Sequence, residues 1–372
     1  MKAVKARVSV LFVVFALIAS ACAGAATPTQ APAPTQPPAT QAPAATTAAT
    51  QAPGSTQAPA ATQGSASQSG TFRIAAVFPS PVSDYAFSQS MYEALLKVQT
   101  DMGGKDKLDF AYSENLYNVP DAAAAIRDYA SKGYNLVIAF GSQYGSSLQQ
   151  IAPDFPNTSF AWATSTDTFT EDGINNVFAL QANAEQGGYV QGVLGALMSK
   201  SGTLGIIGPV EAGDAKLYVD GFKEGALATK PNDTVNVTYT GSFSDVSLMS
   251  AAAETQVQNG ADVLTGSSQS VVGAISVAKQ NNAYWFGTQW DQTQLAPSVV
   301  VSSQEYDWTA PLKDMISNVQ NGVLGGKSYT LTLANGGLVI QYNPAVTVPA
   351  DAKAAADQAI KGIEDGSITV QP

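Results

Sequence analysis

The sequence has no histidine and a single cysteine, Cys22, among its 372 residues. Without histidine there is no Ser-His-Asp or Cys-His catalytic set and no imidazole-based zinc site, and one cysteine closes no disulfide within the chain. The usual proton carrier near neutral pH is missing too, so acid–base chemistry would fall to carboxylates or lysines. Acidic residues are absent from the first 80 positions, and all 29 lie beyond them. Three of the 18 basic residues (Lys2, Lys5 and Arg7) stand in the first seven, which leaves 15 basic against 29 acidic side chains in the rest. A body this acidic, with no Lys/Arg cluster, lacks the positive stripe that a phosphate backbone needs, so nucleic acid is not expected as a partner. No phosphate loop is spelled either: the Gly-rich stretches near 141–145 and 187–195 match neither G-x-x-x-x-G-K-[ST] nor a G-x-G-x-x-G after a strand. No cofactor, metal or catalytic residue is implied.

Long apolar runs are equally scarce. The run Val8–Ala21 (VSVLFVVFALIASA) has 14 residues, short of the about 20 that a spanning helix needs. Preceded by the basic Met1–Arg7, it reads as a signal peptide over residues 1–21. It ends in Ala19-Ser20-Ala21-Cys22, which resembles the bacterial lipobox with Ala19 where Leu is more usual. That resemblance implies a lipid on Cys22 as the mature N-terminus; the other reading is an ordinary cleavage at a small-x-small site. Residues 23–70 hold only Ala, Thr, Pro, Gln, Ser and Gly, with eight prolines in 48 positions, a composition unable to bury enough apolar surface to fold. Residues 22–70 are therefore expected to be a disordered linker, about 40 Å across as a coil, between a lipid surface and the folded body.

From Phe72 onward short β-rich runs alternate with helical patterns. Strands are expected at 73–78, 108–112, 135–140, 159–163 and 176–180, then at 203–207, 235–240, 262–265 and 284–287, with helices between most of them. Such spacing predicts an α/β fold of two doubly wound parallel-sheet lobes. The expected division is lobe 1 over 71–182 with a return segment near 298–325, lobe 2 over 183–297, and a C-terminal hairpin-like stretch (TLTLANGGLVIQYN) and helix within 326–372 whose lobe is left open. Open parallel sheets bind ligands beyond the carboxyl ends of their strands, so two such lobes face each other across a cleft lined by the loops after each strand.

Several phrases, in order, resemble the basic membrane protein family of solute-binding lipoproteins, of the purine-nucleoside receptor type. They are Asp84-Tyr85-Ala86-Phe87-Ser88, Asn135–Gly141 with Phe155–Ala161, Glu185–Gly192, Asp220–Gly225, Gly241–Asp245 and Gly287–Gln292. The resemblance covers about residues 72–343. It implies a periplasmic-binding-protein type I fold with a hinged cleft, a non-enzymatic monomer anchored by lipid at the extracytoplasmic face of a bacterial cell membrane, and delivery of a purine nucleoside or nucleobase-like molecule to an ABC permease. A receptor of the same fold for a sugar or signalling molecule, feeding a sensor kinase, is the alternative. A carboxylate-dependent hydrolase would have to use Asp84, Asp245 and Asp291.

By position in that family, Phe87 is the stacking candidate of the first lobe. Ser88 replaces the usual Asn, Gln289 stands in place of a binding Asp, and Thr164 falls where another Asp is usual. Tyr144 and Trp290 are further aromatic candidates near strand ends, where a flat face can stack on a ligand. Ser142, Thr164, Ser268 and Gln289, with Gln143 and Gln269, can donate and accept as a neutral polar ligand demands. Lys216 could meet a ligand oxygen, and Asp84, Ser88 and Phe87 come as one phrase. Loss of two carboxylates weakens the clamp available to vicinal hydroxyls, so a base or modified nucleoside is expected to bind better than a common ribonucleoside.

Overall fold

Apolar residues occupy both faces of the first strand: Ile74, Ala75, Ala76 and Val77 have no exposed surface, as a sheet covered by helices on both sides requires. The computed structural model describes residues 70–371. In chain order it runs β1 (Phe72–Val77), α1 (Phe87–Asp101), β2 (Leu108–Ser113), α2 (Val119–Ser131), β3 (Leu136–Ala139), α3 (Gly145–Ile151), β4 (Ser159–Ala163) and β5 (Val177–Ala182). Next come α4 (Ala184–Met198), β6 (Thr203–Gly208), α5 (Gly213–Thr229), β7 (Thr234–Tyr239), α6 (Val246–Gln258), β8 (Val263–Gly266), α7 (Val271–Asn281) and β9 (Tyr284–Gln289). The last elements are β10 (Val300–Tyr306), α8 (Thr309–Gln320), β11 (Ser328–Leu331), β12 (Leu338–Tyr342) and α9 (Ala350–Glu364). The signal-peptide run, Cys22 and the Pro-rich linker lie outside the described residues.

Among the described residues the strands form two six-stranded sheets, ordered β11-β5-β4-β3-β1-β2 and β12-β10-β9-β8-β6-β7. All neighbours are parallel except β12, which runs antiparallel to β10. The α/β reading with two doubly wound lobes is therefore correct. One core cluster runs through both lobes, from Phe78, Phe87 and Phe140 to Tyr306, Trp308, Phe222 and Phe286, and smaller clusters fill the outer face of each sheet.

The return to the first lobe starts later than Val299. Strand β10 pairs with β9, Val300 opposite Trp285 and, past a bulge, Ser302 opposite Phe286, so it belongs to the second sheet. The chain goes back only with α8, which packs on α1, and with β11, which pairs with β5. The stretch TLTLANGGLVIQYN is not a hairpin. Its two runs enter different sheets, Leu331 opposite Ala182 and Leu338 opposite Tyr306, each adding an edge strand beside β5 and β10 respectively. Helix α9 packs on α4, on the second lobe.

Candidate functional site

The carboxyl ends of the two sheets face a cleft of about 640 Å³, part of it open to solvent. The first lobe contributes Pro79 after β1, Phe87 at the start of α1, Tyr117 after β2, Gly141–Gln143 after β3 and Thr164 after β4. The second contributes Val210 and Ala212–Ala215 after β6, Phe243 after β7, Ser267–Gln269 after β8, and Gln289 at the end of β9.

Two phenyl rings thus reach the cleft from opposite lobes. Phe87 is backed by Phe140, with ring centroids 4.1 Å apart and planes at 15°, and Phe140 meets Trp308 edge-on at 5.7 Å. This aromatic column fixes the ring of Phe87 at low entropic cost. Phe243 is held through its backbone: Ser268 Oγ donates to its carbonyl oxygen at 2.7 Å and shares a 2.8 Å hydrogen bond with Ser270. Ser268 lines the cleft and also positions an aromatic wall.

The second-lobe wall carries a carboxylate. Asp214, in the first turn of α5, accepts at Oδ2 from Gln289 Nε2 at 3.3 Å and from the Tyr306 hydroxyl at 3.2 Å. Burial pushes its carboxyl above the ordinary range, against the pull of those two donors. Among the lining residues Asp214 is the one acid, and no lysine or arginine joins it. Gln289 sits in left-handed backbone at φ 74°, a strained conformation for a non-glycine residue that tends to gather at functional sites. Its Oε1 and the hydroxyl of Ser267 are buried without a hydrogen-bond partner. They stand at the ends of the neighbouring strands β8 and β9. Thr164 is left-handed as well, at φ 59°, with its hydroxyl turned to the carbonyl of Ala163.

Of the residues singled out from sequence, Phe87, Ser142, Gln143, Thr164, Ser268, Gln269 and Gln289 line the cleft, whereas Asp84, Ser88, Tyr144, Lys216 and Trp290 do not. Asp84 caps α1, accepting from the backbone of Ala86, Ser88 and Gln89 and from Ser80 Oγ. Ser88 is fully buried against Ser80. Tyr144 fills the first-lobe core, donating to the carbonyl of Leu116 at 2.7 Å; a side chain on Gly141 would collide with its ring. Lys216 is paired with Asp220 one turn along α5. Trp290 lines a separate hollow with Ser90, Lys97 and Glu305, beyond the end of β9 and the left-handed turn of the backbone at Gln289. The carboxylates that hydrolysis would need are also engaged elsewhere: Asp245 caps α6 through Ser247 and Leu248, and Asp291 accepts from Thr293.

Sequence reasoning missed Asp214, Tyr117, Phe243 and Ser267. An acid just after Gly213 at a helix start looks like an ordinary first-turn residue; the available signal was its place in the loop after β6, where lining residues gather. Among the described residues no helix is long and apolar enough to cross a membrane.

A family model described as ABC transporter substrate-binding protein PnrA-like matches residues 71–370. The chain is 25% identical over 296 residues to a purine-binding protein of Brucella abortus, covering 80% of this chain and 82% of that one. It is 26% identical over 308 residues to an ABC transporter nucleoside-binding protein of Lactococcus lactis, covering 78% and 86%. A solved ABC transporter solute-binding protein from Conexibacter woesei shares the fold, with a TM-score of 0.67 at 21% identity over 81% of this chain and 99% of that one.

Proposed function

The chain belongs to the family of PnrA-like ABC transporter substrate-binding proteins, and from that premise we propose that its cleft captures a purine nucleoside for delivery to a membrane permease. The family is one of solute binders and not an enzyme class. The observation that carries the ligand reading is the pair Phe87 and Phe243, two rings from opposite lobes lining one cleft beside a buried carboxylate–amide pair. A flat heterocycle gains about 1–3 kcal/mol from stacking on such a ring, and the carboxylate takes hydroxyl or amino donors with charge-assisted bonds. The names of the Brucella and Lactococcus relatives, purine-binding and nucleoside-binding, agree.

The absence of carboxylates at Thr164 and Gln289 by itself favours a base or modified nucleoside. Asp214 supplies one from another element, within hydrogen-bond reach of Gln289. A ribonucleoside is therefore the preferred ligand. With one acid and no base lining the cleft, a nucleotide phosphate is repelled. Cys22 is the proposed point of lipid attachment, which would hold the body at the outer face of the cell membrane; Cys22→Ser should abolish incorporation of labelled palmitate.

Calorimetry on the full chain, stripped of carried-over ligand by unfolding and refolding, tests the ligand. Inosine or guanosine should bind at least tenfold tighter than hypoxanthine, guanine, ribose or inosine monophosphate. Binding of sugars alone, or of none of the purines, would refute the reading.

A further inference from the structure

Gln289 has two ends that differ chemically, a donating NH2 and an accepting oxygen, and which end faces a ligand decides what it can recognise. Asp214 settles this. Its Oδ2 already receives the Tyr306 hydroxyl at 3.2 Å, so that oxygen is an acceptor, and only the nitrogen of Gln289 can satisfy it, at 3.3 Å. The carbonyl oxygen of the amide is then left over, and Gln289 Oε1 is buried with no partner among the described residues. The residue itself is 2% exposed and lines the cleft. Its backbone, held at φ 74°, fixes where the side chain starts. A second buried polar atom without a partner, Ser267 Oγ, lies on the same wall at the end of the adjacent strand.

We propose that Asp214 is a positioning residue that holds the Gln289 amide with its oxygen presented to the cleft, so that this wall selects a ligand bearing an O–H or N–H donor and discriminates against one bearing only an acceptor there. An unpaired buried acceptor is costly, and a ligand donor removes that cost on binding, whereas a ligand without one leaves it in place. Without Asp214 the amide is free to turn, and a ligand acceptor could be met by its NH2. Asp214 would thus set the selectivity of this wall through Gln289, beyond any contact its own carboxylate makes with the solute. The proposal rests on the reading of this cleft as the solute site, and the measurement is chosen so that the two can fail separately.

The amide orientation is read first, in the full chain with no ligand. The Gln289 NH2 pair is identified in 15N spectra by its loss in Gln289→Glu. Its hydrogen exchange should be at least tenfold slower than that of the exposed Gln258, and should accelerate in Asp214→Leu, which removes the acceptor. Asp214→Asn, which keeps an acceptor oxygen, should restore the slow exchange. Exchange as fast as Gln258 in the unmodified protein overturns the proposal, whether or not any variant folds. Discrimination is read second, with inosine and its 2′-fluoro, 3′-fluoro and 1-methyl analogues, each lacking one donor. One of these should bind roughly tenfold or more weakly than inosine to the unmodified protein, the penalty of a buried acceptor left unpaired. That gap should shrink below about threefold in Asp214→Leu and return in Asp214→Asn. An unchanged gap in Asp214→Leu, or no gap in the unmodified protein, refutes the positioning role. Failure of inosine to bind at all sinks the nucleoside reading, and the exchange measurement still decides the role of Asp214.

Discussion

Tyr117 and Gln269 meet across the cleft: the phenol of the first-lobe residue donates to the side-chain oxygen of the second-lobe residue at 3.3 Å. Both line the site, so this contact closes over whatever the cleft holds. A deeper link joins the lobes as well, from Gln292 Nε2 to the carbonyl of Tyr85 at 3.1 Å. A ligand that touches both lobes shifts an open–closed equilibrium toward this engaged form. Tyr117→Phe deletes the latch and nothing that stacks. Loss of one such bond costs about 0.5–1.5 kcal/mol, so affinity for inosine should fall about 2- to 10-fold while the melting temperature of the ligand-free protein falls by no more than a few degrees. Scattering should also show a larger radius of gyration for the variant. Unchanged affinity would mean that the contact plays no part in closure.

The two phenyl walls differ in what else depends on them. Phe87 is 5% exposed and stacked on Phe140, so Phe87→Ala should cost about 3–5 kcal/mol of stability besides any binding. Phe243 is only half-buried in a loop after β7. Its truncation should leave stability nearly unchanged and weaken binding by the stacking contribution of about 1–3 kcal/mol. Calorimetry on Phe243→Ala is therefore the cleaner test, and undiminished affinity in it would remove the sandwich from the proposed site.

Glu185, in the first turn of α4, is buried with Oε2 unpartnered, and desolvation pushes its carboxyl up to about 7 from 4.5. A carboxyl that holds its proton more tightly when folded loses stabilisation as pH rises from the unfolded value to the folded one, here between about 4.5 and 7. Glu185→Gln has no proton to lose in that window. The stability of the variant relative to the parent should improve as pH rises from 4.5 to 7 and level off above, by at most about 3 kcal/mol at about 1.4 kcal/mol per pKa unit. Other raised carboxyls, such as Glu305, are common to both proteins and cancel in the difference. Denaturant melts across the range decide it: a constant difference would show that Glu185 does not carry the shift.

Most of the strand positions were legible because buried parallel strands are written as unbroken apolar runs; Ser159–Ala163 was bounded correctly, and most others came within two residues. Destination was harder to read. In TLTLANGGLVIQYN the Asn-Gly-Gly between alternating runs is the strongest local hairpin signal, and the turn is indeed tight, with Asn335 Oδ1 accepting from Thr332 and Gly337. Which sheet each flanking run joins is decided by which edges are free, a property of the whole fold. The site shows the same limit. The loops that line the cleft followed from strand ends, but Trp290 and Gln289 differ only in which way each points, and Asp214 gains its role from Gln289 and Tyr306, 75 and 92 positions away.

Helices α4 and α5 offer a last test, because their closeness was written into the glycines of both. A β-carbon on Gly192 would lie 2.2 Å from the carbonyl oxygen of Phe222, and one on Gly225 would lie 2.1 Å from that of Tyr189. Both contacts are with backbone, which cannot swing aside. In an unencumbered helix, replacing glycine by alanine stabilises by about 0.5–1 kcal/mol. Here the added methyl must force the two helices apart, and overpacking costs about 1–3 kcal/mol. The two effects have opposite signs, so the sign of the change is diagnostic. Gly225→Ala should lower the melting temperature by several degrees, given about 2–4 °C per kcal/mol for domains somewhat smaller than this body. A rise in melting temperature would show that the seam relaxes freely, and that the close approach of α4 and α5 does not fix where α5 carries Asp214.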